Sequence, residues 1–323
     1  MFLGIDGGGT KTAFTLIDSE GQLRARHLDG SLYHPEVGLD GVAAVLQRGV
    51  QATLQAAGCG VDDVAFSFIG MPCHGEDSAL QPQLDALPGG VLPVGRYRCG
   101  NDMVCGWAGS LGAADGINIV AGTGSMAYGE WRGYSARAGG WGELFSDEGS
   151  AYWIAREGLA LFSRMSDGRA EPGPLLALLR CHFKLADDLD LCAHLYGPQA
   201  AGRSGLAGLA PLVVAAAEQG DRAARAIFVA AASQLAEIVT ATARRLGVPM
   251  DAPLSVSYSG GVFQSQALVL TPLRTLLADR LPRARLVRPR LSPSMGAALQ
   301  AARLVGRPLP AAALARLEQV DSA

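Results

Sequence analysis

Three glycine turns and three carboxylates carry the chemistry legible in this chain. The turns are Asp6-Gly7-Gly8-Gly9-Thr10-Lys11, Gly122-Thr123-Gly124-Ser125 and Ser259-Gly260-Gly261, and each follows directly on a short apolar run. Glycine lets backbone N–H groups approach an anion closely, and successive turned N–H groups form an anion-binding nest. Thr10 and Ser125 add hydroxyls suited to phosphate oxygens. Taken singly, each cluster reads equally well as a tight turn that needs positive φ. Three of them at strand ends favour phosphate. Neither common nucleotide motif is present. G-x-G-x-x-G would need glycine where Thr12 stands, followed by a helix, and no G-x-x-x-x-G-K-[ST] occurs. The pattern is that of a nucleotide site built on hairpins.

Asp6 closes the first apolar run, where a carboxylate facing polyphosphate suits an intervening Mg²⁺, which takes oxygen ligands and keeps several waters. The alternative is a turn aspartate bonded to its own backbone. Asp102 follows a run at 96–99 and projects at a strand end; alternatively, Asn101 and Asp102 cap the helix that starts near Val104. Asp147 and Glu148 read as opening a helix, where carboxylates suit the positive end of the dipole.

The elements that must position these groups come in two rounds. Residues 2–5 and 13–17 are strands, Asp18-Ser19-Glu20-Gly21 is a hairpin turn and 22–28 the return strand. Val42, Val45, Leu46, Val50 and Leu54 recur at helical spacing within 38–57, which ends at Gly58. Strands at 64–69 and 96–99 and a helix at 104–111 complete the first round. The second has strands at 117–121 and 126–131, a glycine-rich loop at 139–142 and a helix from Asp147 to near Gly168. A helical stretch to about 247 follows, with 206–217 as one buried helix and 223–246 the clearest element. Strand 254–258, a helix to Leu281, strand 286–287 and a helix from Met295 end the chain. Two α/β units, each opening strand, glycine turn, strand, imply a duplicated plan. We divide it into domains at 1–114 and 115–323, with the ligand expected in the cleft between them.

Composition removes other classes. The length of 323 residues suggests about two domains, and 42 glycines is nearly twice the usual share, without the Gly-X-Y period of collagen. A net charge of −3 leaves no basic excess for a phosphate backbone, so no nucleic acid partner is expected. Six cysteines without a C-x-x-C pair fit a reducing cytoplasm. Cys181-His182 with Cys192 and His194 fits no common zinc spacing. The start, MFLGIDGGG, has no basic region before its apolar run, and no unbroken apolar stretch approaches about 18 residues, so no signal peptide or membrane span is expected.

Asp6-Gly-Gly-Gly-Thr10, Asn101-Asp102, Gly122-Thr-Gly-Ser125, Gly139-Gly-Trp-Gly142 and Asp147-Glu-Gly-Ser-Ala-Tyr-Trp153 together resemble the N-acetylglucosamine kinase family. That family belongs to the BadF/BadG/BcrA/BcrD-type ATPases of the actin-like, ribonuclease-H-like superfamily. The motifs run in order from Asp6 to the turn at Ser294-Met295-Gly296, and the Gly139–Trp153 segment is the most specific. The resemblance implies an α/β fold of two ribonuclease-H-like domains around a central cleft. It also implies an ATP- and Mg²⁺-dependent kinase acting on the 6-hydroxyl of an amino sugar. Asp102 would then be the base and Asp147 a partner of sugar hydroxyls, with Gly140, Trp141 and Gly142 as the pocket wall. Gly7, Gly8, Gly9, Thr10, Lys11, Thr123 and Gly124 match the phosphate side, and Ser125 lies closer to the sugar. Gly260, Gly261 and Ser265 match the adenosine side, and Asp6 holds Mg²⁺ through water. Members are commonly dimers, so a homodimer is a candidate assembly. Two departures bear on the sugar: Tyr33 or His34 stands where mammalian members have a sugar-contacting Asn, and Ala138 where they have Cys. Other branches suggest two rivals, an ATPase that drives electrons into a dehydratase through a cysteine-held iron–sulfur cluster, and an ATP-binding switch without a sugar.

Overall fold

The computed structural model describes residues 1–197 and 202–321. By contact the chain forms two units, Met1–Asn118 with Arg288–Ala323, and Ile119–Val287.

Apolar runs too short for helices become the buried strands of the first unit. β1 (Phe2–Gly7) pairs antiparallel with β2 (Thr12–Ile17), which pairs antiparallel with β3 (Leu23–Asp29). After α1 (His34–Ala57), β4 (Phe66–Met71) lies parallel to β1 on its other side. The short α2 (Gln81–Ala86) leads to β5 (Tyr97–Asn101), parallel to β4, and then to α3 (Met103–Leu111). The order is β3-β2-β1-β4-β5. All five helical-period residues of α1 (Val42, Val45, Leu46, Val50 and Leu54) join Leu3, Ile5 and Phe14 in one core, as an amphipathic helix on a sheet requires. The helix starts earlier than its periodicity indicates, because Pro35 suits a first turn while Gly38, at φ +68°, breaks the helical path.

The second sheet begins with β6 (Gly116–Ala121), β7 (Ser125–Trp131) and β8 (Tyr134–Gly139), the last pair antiparallel. Six helices follow: α4 (Ala151–Ser166), α5 (Pro174–Phe183), α6 (Leu191–Tyr196), α7 (Arg203–Ala207), α8 (Ala210–Glu218) and α9 (Arg222–Arg245). β9 (Leu254–Ser259), α10 (Thr271–Arg280) and β10 (Ala284–Val287) finish it. Its order, read as β8-β7-β6-β9-β10, repeats that of the first sheet strand for strand. Two ribonuclease-H-like sheets from one chain are the duplicated α/β plan.

Several expectations need correction. The buried helix expected at 206–217 is two, since Pro211 can open a helix but not continue one across Gly208. The helix expected up to Leu281 starts only at Thr271, after short turns over 261–264 and 266–270. α9 is long and apolar enough by length and composition to cross a bilayer, but 56% of its apolar window is buried in the protein, as in a core helix.

The chain from Arg288 onward packs with the first unit and not with the 115–323 domain expected from the sequence. α11 (Pro293–Leu304) lies against both α3 and β1, and α12 (Ala311–Asp321) follows it. Glycine makes this approach possible. A Cβ on Gly4 would collide with the backbone at Ala298, and one on Gly296 with the Cys105 carbonyl and the Gly109 nitrogen. Gly296→Ala must push α11 off α3, backbone against backbone, at a cost of about 3 kcal/mol or more. Urea denaturation checks this: the midpoint should fall sharply, and a loss below about 1 kcal/mol would show that the two helices slide apart freely.

Candidate functional site

In the first unit the site lies at the carboxyl ends of parallel strands. Asp6 is in register with Gly70 of β4, and Gly70 with Gly100 of β5. A Cβ on Gly70 would overlap Cys105 Sγ and come within 3.1 Å of Asp102 Cα, so its absence lets the start of α3 settle onto the sheet. The capping alternative divides between two residues. Asn101 Oδ1 accepts the Met103 N–H at 3.1 Å and its Nδ2 donates to the His74 carbonyl at 3.1 Å, whereas Asp102, at the N-cap position, makes no side-chain cap. The Asp102 carboxylate is therefore not spent on closing the helix.

Asp6 is the perturbed acid of this cluster. Burial pushes its carboxyl up to about 7 from an ordinary 3.8, the negative charge of Asp102 pushes the same way, and a hydrogen bond from Cys105 opposes both. Burial and the two carboxylates also drive the Cys105 thiol well up. The groups that set these values include no cation. Two carboxylates that repel each other in a partly dehydrated setting are a donor set that a divalent ion relieves, so the residues present fit one.

The glycine turns divide by cause. Gly7 is glycine for packing, as a Cβ there would sit 2.7 Å from the Gly70 carbonyl; Gly8 N–H closes the turn on the Lys11 carbonyl at 3.0 Å. Gly260, at φ +107°, is pressed against the Ala121 carbonyl. Gly9, Gly122 and Gly261 are different. None has positive φ, and a Cβ on any of them would meet nothing within 4 Å. The fold does not require glycine at these three places, one in each turn. The expectation of turns needing positive φ holds only for Gly260, and the open backbone of the others is what an approaching anion would use. Thr10, Lys11, Thr123, Gly260 and Gly261 are exposed, and Ser265 is half-buried.

In the second unit Asp147 does not open a helix. It is 1% exposed with φ +60°, Gly149 follows at φ +78°, and the helix starts after Ser150, whose hydroxyl accepts the Trp153 N–H at 3.1 Å. Asp tolerates the left-handed region, which folds residues 140–149 back as a loop. Asp147 Oδ1 accepts the Ser125 N–H at 3.2 Å, and the Ser125 hydroxyl donates to the Glu148 carbonyl at 2.7 Å. Ala151 N–H donates to the Gly122 carbonyl at 2.8 Å. The loop and the Gly122–Ser125 turn are thus laced together. Arg137 Nη2 donates to the Gly140 carbonyl at 2.7 Å, and the Trp141 indole stands out, 67% exposed.

One residue escaped the sequence reading. Arg203 of α7 pairs with Asp147 through Nη2 and with Glu143 through Nε at 3.2 Å. Its only sequence signal was a lone basic residue in an alanine- and leucine-rich stretch.

The chain belongs to the BadF/BadG/BcrA/BcrD ATPase family, which it matches over residues 3–301. It is 30% identical over 313 residues to an N-acetyl-D-glucosamine kinase of Dictyostelium discoideum, covering 93% of this chain and 97% of that one. It is also 26% identical over 300 residues to an N-acetylmuramic acid/N-acetylglucosamine kinase of Clostridium acetobutylicum, covering 92% and 96%. A solved candidate N-acetylglucosamine kinase from Chromobacterium violaceum aligns with a TM-score of 0.69 at 27% identity, covering 93% and 98%.

Asp6 makes a testable statement about pH. Its folded value, about 7, lies above the ordinary 3.8, so the folded state holds this proton more tightly. The stability it contributes is full below pH 3.8 and is lost as pH rises through 7. Asp6→Asn removes the dependence. In urea titrations with a chelator present, the variant should exceed wild type by about 4 kcal/mol at pH 8 and nearly match it at pH 4. Equal stability at both pH values would show that the strain on Asp6 is absent.

Proposed function

We propose that the protein is an ATP-dependent amino-sugar kinase that phosphorylates the 6-hydroxyl of N-acetylglucosamine or glucosamine. Beyond the likeness to sugar kinases, one observation carries the reading: a buried carboxylate, Asp147, and an exposed indole, Trp141, lie in one loop laced to a glycine turn. A pyranose offers hydroxyls to a carboxylate and an apolar ring face to an indole. The exposed loop also holds Leu144 and Phe145. The departures at Tyr33 or His34 and at Ala138 are the positions the resemblance ties to sugar choice, and His34 Nδ1 is buried with no hydrogen-bond partner.

In this reading the first unit supplies the base and one phosphate turn. Asp102, uncommitted to capping, orients the 6-hydroxyl and accepts its proton as the oxygen attacks the γ-phosphate. Gly7, Gly8, Gly9 and Thr10 hold phosphate through backbone N–H groups and a hydroxyl, and Lys11 adds charge. Thr123 and Gly124 do the same from the second unit, where Ser125 and Asp147 face the sugar with Gly140, Trp141 and Gly142. Gly260, Gly261 and Ser265 hold the adenosine side. Asp6 would hold Mg²⁺, which would supply neutralising charge at the phosphates. The protein's own share is positioning and charge placement, which is most of what phosphoryl transfer needs. The enzyme works in the cytoplasm on a small molecule, and a homodimer is its candidate assembly.

The electron-delivering alternative has less support. Cys105 is fully buried with its Sγ toward the Ile5 carbonyl, and burial pushes the Cys99 thiol up to about 12, so neither is poised to bind a cluster as thiolate.

ADP release should be stimulated at least about tenfold by one of N-acetylglucosamine, glucosamine or N-acetylmuramic acid, and far less by glucose. No stimulation by any of them would overturn the reading. Asp102→Asn should lower kcat about a thousandfold while ATP affinity by calorimetry stays unchanged; comparable turnover would remove Asp102 as the base. Trp141→Ala should raise the sugar KM about tenfold with the ATP KM unmoved.

A further inference from the structure

Arg203 stands at the junction of two segments that lie far from it in sequence. Its guanidinium pairs with Asp147, 56 positions earlier, and with Glu143 in the same loop. It also lies directly over Gly124: a Cβ there would overlap Arg203 Nη2 and come within 2.9 Å of both Asp147 carboxylate oxygens. Gly124 has no positive φ, so its glycine is explained by this side-chain contact.

The pairing has a chemical consequence for Asp147. Its carboxylate is almost wholly shielded, and a buried carboxylate needs counter-charge and hydrogen bonds to remain in place. Ser125 N–H occupies one oxygen and Arg203 the other. A carboxylate accepts about four hydrogen bonds, so lone pairs remain on both oxygens. Arg203 thereby fixes the plane of the carboxylate without using up its capacity. Arginine suits this better than lysine, because its planar fork reaches two carboxylates at once with fixed geometry.

We propose that Arg203 is the positioning residue for sugar binding: it orients Asp147 toward the sugar hydroxyls and ties the loop at 140–149 to the Gly122–Ser125 turn. Its ion-pair partners are Asp147 and Glu143 and not the base Asp102, so its removal acts on sugar affinity more than on the chemical step. This rests on the amino-sugar kinase reading above.

The test is a kinetic split on the full-length chain with Mg-ATP and whichever amino sugar wild type phosphorylates. Arg203→Met should raise the sugar KM about tenfold or more, with kcat and the ATP KM within about threefold. Arg203→Lys should recover only part of that loss and leave the sugar KM above wild type, because lysine cannot hold both carboxylates in fixed geometry. In a double-mutant cycle, Arg203→Met on an Asp147→Asn background should add little to the sugar KM, because the residue it positions is already disabled. An unchanged sugar KM in Arg203→Met, or independent additive losses, would overturn the inference. So would a parallel fall in kcat and ATP affinity. If Arg203→Met does not fold, Arg203→Lys decides alone: a sugar KM raised with kcat intact supports the role, and a wild-type KM overturns it. Wild-type protein that turns over no amino sugar refutes the kinase reading itself, a result distinct from an active wild type whose Arg203 variants keep its KM.

Discussion

Two carboxylates separate freely in water, and here the backbone prevents it. Asp6 is the last residue but one of β1, Asp102 is the N-cap of α3, and the strand beside β1 carries Gly70, which has no side chain to hold them apart. Burial and mutual repulsion together move Asp6 most of the way to neutral pH. Such an arrangement is strained unless the scaffold over-determines it. The scaffold does: β1, β4 and β5 are parallel and fully in register, and α11 presses on α3 through a glycine contact with no slack. The apolar core beneath the sheet supplies the stability that the acid pair subtracts. What results is a pair of acids held in close, fixed geometry at the carboxyl ends of the parallel strands.

The second unit repeats the strand order of the first and handles charge in the opposite way. Its buried acid, Asp147, pairs with Arg203 and accepts the Ser125 main-chain N–H. The same topology therefore carries an acid pair with no cation among the groups that shift it in one copy, and acids paired with an arginine in the other. The difference lies in the loops at the strand ends, chiefly the long one between β8 and α4. Duplicated folds diverge in this manner, because a strand end fixes where a loop begins and leaves its chemistry open.

Much of the architecture was legible because it is written locally. The apolar runs of β1, β2, β4, β6 and β9 lie within a residue or two of where the pattern put them, the helical spacing of α1 matched its buried face, and α9 spans the stretch expected at 223–246 almost residue for residue. β8 was missed because Tyr134 to Gly139 is an edge strand with exposed and small residues, so it shows neither alternation nor an apolar run. The Asp147-Glu148 pair misled for a related reason. Acidic residues before a helix usually mark its first turn, but here left-handed backbone at Asp147 and Gly149 inserts a loop, and Ser150 takes the cap. The fate of the chain after Val287 was also illegible, since a helix rich in small residues packs equally well in sequence terms on either sheet.

Sequence alone determined the strand-turn-strand openings of both halves, the glycine turns suited to an anion, the presence of Asp6, Asp102 and Asp147, and the motif order that places the chain in its family. These are properties of neighbouring residues: backbone freedom, apolar period, short-range spacing. Only the tertiary structure decided that Asp6 and Asp102 repel each other beside Gly70. It alone decided that Gly9, Gly122 and Gly261 are open where other glycines are filled, that α11 returns to the first unit, and that Arg203 answers Asp147. Each of those depends on side chains or backbone segments brought together across tens to hundreds of residues. No local preference encodes such meetings; they are set by which surfaces pack when the whole core closes.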